Sequence, residues 1–198
     1  AFSQGVVEVA VVNSLGIEAR QRYSDLIFHV IAQNDRGSGY AGFVPRDPAR
    51  LEIESLVQAA VSKLSAKKPT AVPPGEYEVI LEPEAVQEFL GFMGTLGFHA
   101  LAVQEGRSFL AGQLGKKLAD EKVTIYDDGL DPAGLQIPFD FEGVPKQKVL
   151  FFDRGVAGSI TYDSLTGSRE NKDSTGHALM PPNTEGPIPI NLFMDGGD

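Results

Sequence analysis

The sequence predicts an α+β fold, and three observations lead to this prediction. Runs of β-branched or alternating apolar residues open the chain, a proline-rich stretch follows, and helical periodicity then alternates with further short strands. The expected architecture is an antiparallel meander plus a helix, a Pro-rich link, then strand-helix-helix and further antiparallel strands. The corresponding segments are residues 1–68, 69–75, 76–163 and 164–198.

The first segment is predicted to be a meander that ends in a helix. Its strands are expected at Val6–Val12, Ile17–Tyr23, Leu26–Gln33 and Tyr40–Val44. Short polar and glycine-containing turns separate these runs, as in consecutive hairpins. Asp47 and Pro48 are suitable residues to cap and begin a helix that continues to about Ala66.

The central stretch, Glu76–Met93, poses the main chemical question of the chain. Tyr77–Leu81 is β-rich and apolar, which predicts a buried strand. Pro83 then stands at the first position of a helix whose apolar residues recur at helical spacing to Met93. Strand, turn and helix therefore meet at a group of carboxylates. Such a turn often binds a metal or an anion, but the usual imidazole and thiolate ligands of zinc are missing beside it.

A second amphipathic helix is predicted at Ser108–Asp120, followed by strands at Lys122–Tyr126, Val149–Phe152 and Val156–Tyr162. Two acidic turns, 127–129 and 139–143, could offer oxygen ligands to a divalent cation. Neither turn has the spacing of an EF-hand, and Asp before Gly is also a common turn former. We therefore interpret both turns as structural. Residues 164–198 are polar and rich in proline and glycine, which is typical of a functional or a disordered loop.

Composition excludes several classes of function. The chain has 198 residues, 42% of them apolar and 22% charged, and no apolar run approaches the ~20 residues of a membrane span. A net charge of −10 disfavours binding to nucleic acid. The absence of cysteine removes disulfides and thiolate chemistry. No export signal opens the chain, so a cytoplasmic location is expected. Because Ala1 lies close to the first strand, an internal fragment of a longer protein is also expected.

The order of these segments resembles the TldD/PmbA family of zinc metallopeptidases. The matching phrases, in chain order, are EAV in the central helix, GRSFLAGQLGKKLADEKVTIYDDG, PFDFEGVPKQKVLFFDRG and STGHALMPPNTEG. The resemblance runs from about Val6 to Asp198, which is almost the whole chain. It implies a relative of peptide-degrading enzymes, some of which are also described as modulators of DNA gyrase. The acidic charge gives no support for direct contact with DNA.

The resemblance also implies where chemistry would be expected. Zinc-binding members carry His-Glu-Ala-Val-Gly-His at the start of the central helix, and this pattern falls on Pro83 to Glu88. Both histidines are replaced, by Pro83 and Glu88, as in the PmbA/TldE-like branch that lacks zinc. Glu84 matches the general base, but without a metal beside it Glu84 is expected to be inactive. Zinc is thus the family's cofactor, and none is expected here.

The resemblance places a substrate or partner cleft near five further residues: Glu82, Glu88, Thr175, Gly176 and His177. The last three match a Thr-Gly-His loop of the family, although His177 is also interpretable as an exposed loop side chain. The other two histidines, His29 and His99, are interpreted as packed side chains without a functional role.

Three hypotheses of function follow, and the residues leave open whether the chain is an enzyme. In the first, it is the non-catalytic subunit of a peptide-degrading homo- or hetero-oligomer that includes a zinc-bearing paralogue. In the second, it is an active metallopeptidase with an atypical metal site, built from carboxylates alone or from carboxylates with His99 or His177. In the third, it is a structural fragment without an activity of its own.

Overall fold

The computed structural model describes residues 1–44, 48–64 and 70–196. The chain forms two compact units, the first made of Ala1–Glu8 and Arg22–Val86, the second of Val9–Gln21 and Gln87–Asp198. Antiparallel sheets with separate helices confirm the α+β class. Residues 70–75 of the predicted link fall within the first unit, and residue 69 lies outside the described residues. The predicted domain boundaries stay a prediction.

A three-stranded antiparallel meander contains β1 (Phe2–Val12), β2 (Glu18–Asn34) and β3 (Gly37–Phe43), in that order. The prediction of two separate strands at Ile17–Tyr23 and Leu26–Gln33 is wrong, because both belong to β2. Side chains alternate between exposed and partly buried from the start of β2 to Leu26, so the polar pair Ser24-Asp25 fits the strand period and makes no turn.

In the first unit, β2 and β3 pair in a register that places Ile31 opposite Tyr40, and β3 therefore starts earlier than predicted. A short 3₁₀ helix at Pro48–Arg50 precedes α1 (Ile53–Ser62), whereas the predicted ends Asp47 and Ala66 lie outside the described residues. Helix α1 packs on β3. Gly39 is required there, since a Cβ atom would overlap the carbonyl oxygen of Ala60.

The predicted buried strand at Tyr77–Leu81 is wrong. These residues have no regular secondary structure, and Ile80 is 96% exposed. No strand within the described ranges pairs with them, and β propensity without a partner forms no ladder. The helix that follows, α2 (Pro83–Leu96), is confirmed with Pro83 at its first position.

The second unit is built around a four-stranded antiparallel sheet. Its strands are β4 (Ile125–Asp127), β5 (Val149–Asp153), β6 (Val156–Ala157) and β7 (Leu192–Met194), in the order β6-β5-β4-β7. In its core, the rings of Phe98 and Phe151 stack with their centroids 4.3 Å apart. Across β4 and β7, the ring of Tyr126 stacks on Phe193 at 5.2 Å. Within the described ranges, no helix combines the length and apolar content of a membrane span.

The predicted helix at Ser108–Asp120 is wrong. A shorter helix, α3 (Ala100–Gln104), comes before it, and the chain then continues in turns. Gly112 and Gly115 have positive φ angles of 69° and 81°, which a right-handed helix does not allow. Instead, the Gly115 N–H donates to the carbonyl of Ala157, and the Ala157 N–H donates to that of Lys116. The segment thus runs along β6 with its backbone polar groups paired.

The last part of the chain also differs from the prediction. The strand expected at Val156–Tyr162 ends at Ala157, because the backbone of Thr161 turns away to exchange hydrogen bonds with Phe98 and Ala100. Residues 164–198 are not one loop. They contain α4 (Ser164–Ser168), capped by the Asp163 carboxylate, and β7, which is an edge strand of the sheet.

Candidate functional site

The first candidate site is an open cleft of about 400 Å³ in the first unit, at the start of α2. Lys63, directly after α1, reaches into it and contacts the Glu82 carboxylate at 2.5 Å. The Lys63 ammonium also donates to the carbonyl of Tyr40 at 2.7 Å. Glu84 lines the same cleft, and its Oε1 accepts a hydrogen bond from the Gly42 N–H at 3.5 Å. The structure therefore brings Glu82 and Glu84 together, as predicted.

Lys63 supplies the positive charge of this cleft. The hydrogen bond with Glu82 raises the pKa of Lys63 above its usual range, against a smaller opposing effect of desolvation. The charges of Glu82 and Glu84 act in the same direction as that hydrogen bond. Nothing in the sequence marks Lys63 as functional, because a lysine at a helix end is usually solvated.

The donor set of the cleft does not fit zinc. A catalytic zinc site typically has three protein ligands, most often with imidazole or thiolate among them, and this cleft offers two carboxylates with an ammonium group already beside them. Within the described residues, no group of three or more His, Asp or Glu side chains could hold a metal ion. Glu88 is exposed on α2. We derive no step through a metal for this site.

The second candidate site is a buried polar cluster in the second unit. Asp127, at the end of β4, and His177, in the Thr-Gly-His segment, are both fully buried, and His177 Nε2 lies 2.9 Å from Asp127 Oδ1. The other carboxylate oxygen, Oδ2, accepts the backbone N–H of Asn191 at 2.6 Å. The Asn191 side chain bonds in turn to the carbonyl of Asp128 and to the N–H of Leu135.

Thr175 completes the chain of hydrogen bonds. Its Oγ1 lies 2.9 Å from His177 Nδ1, accepts the N–H of Tyr162 at 2.8 Å and is 3.1 Å from the carbonyl of Tyr162. A neutral His177 that donates from Nε2 to Asp127 must accept at Nδ1, and the Thr175 hydroxyl then donates to it. A His177 protonated at Nδ1 donates to Thr175 instead, and the hydroxyl turns to the Tyr162 carbonyl. Rotation of one hydroxyl hydrogen therefore satisfies either form.

Two more charged groups lie in this region. Lys146 is buried, and its burial lowers its pKa, an effect that the charges of Asp127 and Asp140 oppose. Asp140 is buried too and accepts three backbone N–H groups at 2.9 Å, from Glu142, Val144 and Ala178. A carboxylate with three such donors is satisfied without a metal.

The pKa of Asp127 reflects a balance between burial and its partners. Burial alone would raise the pKa of this carboxyl group. The hydrogen bond from His177, the charges of His177 and Lys146, and the N–H of Asn191 outweigh burial and hold the pKa of Asp127 below its ordinary value. Asp127 is therefore the ionised centre of the cluster.

The interpretation of His177 as an exposed loop residue is wrong, since it is 1% exposed. Gly176 has a φ angle of 76°, and a Cβ atom there would lie 2.7 Å from Cα of Lys146, which fixes the segment against its neighbours. Thr175 is half-buried. The three residues of the Thr-Gly-His segment thus lie together, and their assignment to a substrate or partner cleft stays a prediction.

His99 is also fully buried, and both of its ring nitrogens have partners. Nε2 lies 3.0 Å from the carbonyl of Thr95, and Nδ1 accepts the N–H of Ala102 at 3.4 Å, at the N-terminus of α3. Burial lowers the pKa of His99, and the Thr95 carbonyl only partly offsets this. The interpretation of His99 as a packed side chain agrees with this geometry.

Comparison with known proteins identifies the class. The family described as the PmbA/TldA metallopeptidase C-terminal domain matches residues 74–198. A metalloprotease of Archaeoglobus fulgidus is 31% identical over 134 residues, which are 68% of this chain and 30% of the relative. A metalloprotease of Methanothermobacter thermautotrophicus is 30% identical over 159 residues, 75% of this chain and 33% of the relative.

Solved structures show the same fold. A Thermotoga maritima protein described as a candidate modulator of a DNA gyrase has a TM-score of 0.86 and 25% identity, and the match covers 100% of this chain and 46% of the other. TldE from Thermococcus kodakarensis has a TM-score of 0.77 and 22% identity, with coverage of 100% and 47%. The chain belongs to the TldD/PmbA metallopeptidase family. It spans about a third of the length of these metalloprotease relatives and under half of these structures.

Proposed function

We propose that this chain is a metal-free TldD/PmbA homologue that serves as the non-catalytic subunit of a peptide-degrading complex. The observation that carries the proposal is the cleft at the start of α2, where the ammonium group of Lys63 lies beside the carboxylates. The family resemblance aligns Glu84 with the general base of the zinc-binding members, but Lys63 supplies the local positive charge, and no imidazole among the described residues lines this cleft. A carboxylate alone does not lower the pKa of a water molecule, which is what the metal does in a zinc peptidase.

The contacts of the histidines argue against an atypical metal site. Each of the two candidates, His99 and His177, uses both ring nitrogens in hydrogen bonds inside the second unit. Metal binding at either one would break at least one buried hydrogen bond without forming a full coordination shell. An active enzyme with its own metal is therefore the less favoured hypothesis.

In the proposed complex, a zinc-bearing paralogue carries out hydrolysis of peptides. This chain contributes surfaces around Glu82, Glu84 and Glu88 and around the segment from Thr175 to His177. A cytoplasmic location is part of the same proposal.

The test is co-expression of the full-length protein with a homologue that carries the His-Glu zinc motif. Native mass spectrometry is expected to show a heteromer with about one zinc ion per zinc-bearing subunit. Peptide cleavage should be lost when the partner's general base is replaced by Gln, and it should be unchanged by Glu84→Gln or by the surface control Glu54→Gln. A self-assembled species that holds zinc, cleaves peptides and loses activity with Glu84→Gln would overturn the proposal.

A further inference from the structure

We call residues 179–190 the proline loop. The residues that flank its two ends are bonded to the same carboxylate, that of Asp127. The loop contains four prolines and connects His177 to the start of β7. At one side of its neck, His177 Nε2 lies 2.9 Å from Oδ1 of Asp127. At the other side, the Asn191 N–H donates to Oδ2 of Asp127 at 2.6 Å. One buried side chain therefore holds both ends of a twelve-residue loop.

The inner half of the proline loop, residues 186–190, covers the junction between α2 and α3. Gly186 lies against the ring of His99, and the Thr161 hydroxyl donates to the carbonyl of Pro187. Pro189 lies against Gly94 of α2, where a Cβ atom would be 3.4 Å from the proline ring. The outer half, residues 180–185, is mostly exposed. The loop thus has a packed inner half and a free outer half.

We propose that Asp127 is a positioning residue that acts as a clasp, closing the neck of the proline loop and holding it over the C-terminal half of α2. The clasp requires an ionised carboxylate, because both of its partners are N–H donors and only a group with two acceptor oxygens satisfies both. Asp127 is fully buried, so water does not replace either partner without local opening.

The surrounding charges keep the clasp ionised. His177 faces Asp127 from the Thr-Gly-His segment, and Lys146 faces it from the segment before β5. Asp140 is another buried carboxylate and interacts with Lys146. Asp128, directly after β4, pairs with Lys148 at 3.8 Å. The charge of Lys146 and the hydrogen bonds from His177 and Asn191 thus favour the ionised form of Asp127.

The first experiment measures hydrogen exchange of the folded chain by mass spectrometry. In Asp127→Ala, peptides covering the proline loop and β7 should exchange roughly tenfold faster, as expected for the loss of the two hydrogen bonds at the neck. Asp128→Ala, which removes the neighbouring carboxylate, is the matched control and should leave the exchange of these peptides unchanged. Equal exchange in the two variants would overturn the proposal, as would acceleration confined to the core strands β4 and β5 with the exchange of the proline loop unchanged.

The second experiment uses Asp127→Asn, which keeps the shape but has only one acceptor oxygen. If this oxygen retains the Asn191 N–H, the new amide group donates to His177, which must then carry its proton at Nδ1 and donate to Thr175. The nitrogen chemical shifts of the His177 ring should therefore change from those of the Nε2–H tautomer to those of the Nδ1–H tautomer. Adding Thr175→Val should then open the loop, because it removes the hydroxyl group that accepts the Nδ1–H. An unchanged tautomer, or an effect of Thr175→Val equal in both backgrounds, would contradict the clasp.

Discussion

Two sites of this molecule pair a carboxylate with a basic side chain, and they differ in almost every physical respect. Glu82 and Lys63 meet at an open cleft, with 58% and 29% of their side-chain surfaces exposed. Asp127 and His177 meet in the interior with no exposed side-chain surface. The exposed pair has a single contact between its side chains, whereas the buried carboxylate is also bonded to a backbone N–H.

The comparison shows that a residue's match to a family motif and its contribution to stability are separate properties. The resemblance points to the start of α2, where the relatives with zinc have their ligands, but an exposed ion pair there contributes little to stability. The buried cluster lies outside the zinc motif, yet removing one partner leaves an uncompensated charge in the interior. A residue's place in a family motif is therefore a poor guide to how strongly it holds this chain together.

The largest effect is expected at the buried site. Asp127→Ala should lower the free energy of unfolding of the second unit by about 3–5 kcal/mol, because His177 and Asn191 both lose their partner in the interior. Adding His177→Ala should cost much less than its effect in the parent chain, with a coupling energy of about 1–3 kcal/mol. Urea denaturation of the four chains measures the cycle. Additive losses would mean that the two side chains act independently.

An intermediate effect is expected from acid. The pKa of Asp127 is lower in the folded chain than in the unfolded chain, so its contribution to stability is present above about pH 4 and is lost as pH falls through the lowered value. Urea midpoints measured from about pH 6 downward should decline with a component that Asp127→Asn lacks. The same acid slope in both chains would show that other carboxylates dominate.

The smallest effect is expected at the exposed site. The pKa of Lys63 is raised, so its contribution is present below the ordinary lysine pKa of about 10.4 and is lost as pH rises through the raised value. Because the ammonium is solvated, Lys63→Met should move the urea midpoint no more than the surface control Lys122→Met. A clear loss of stability in Lys63→Met alone would mean that the cleft is more tightly built than its exposure suggests.

The sequence predicted the secondary structure elements that are determined by residues close to one another in the chain. The helix from Pro83 and the meander follow from proline placement and from period-two alternation, and both are present. Two of the wrong predictions also have local causes that were visible but ambiguous. Gly112 and Gly115 interrupt an apolar pattern of helical spacing, and Tyr77–Leu81 has strand propensity without a partner strand in the described residues.

The hydrogen bonds of the Asp127 clasp could not be predicted from the spacing of residues along the sequence. Asp127 was interpreted as a turn former because an Asp-Asp-Gly sequence explains itself locally. Its partners are 50 and 64 residues away along the chain, and no periodicity joins a loop histidine and the backbone of Asn191 to the end of β4. Only the topology β4-β7, in which the end of the chain pairs with a central strand, brings them together.

The aromatic packing of the second unit gives the protein an intrinsic spectroscopic probe. The chain has no tryptophan, so its near-ultraviolet signal comes from five tyrosines and twelve phenylalanines. Tyr162 is 3% exposed and Tyr126 is stacked on Phe193 of β7, whereas Tyr40 and Tyr77 of the first unit are 42% and 56% exposed. Since fixed side chains dominate near-ultraviolet circular dichroism, that spectrum reports mainly on the second unit without any added label.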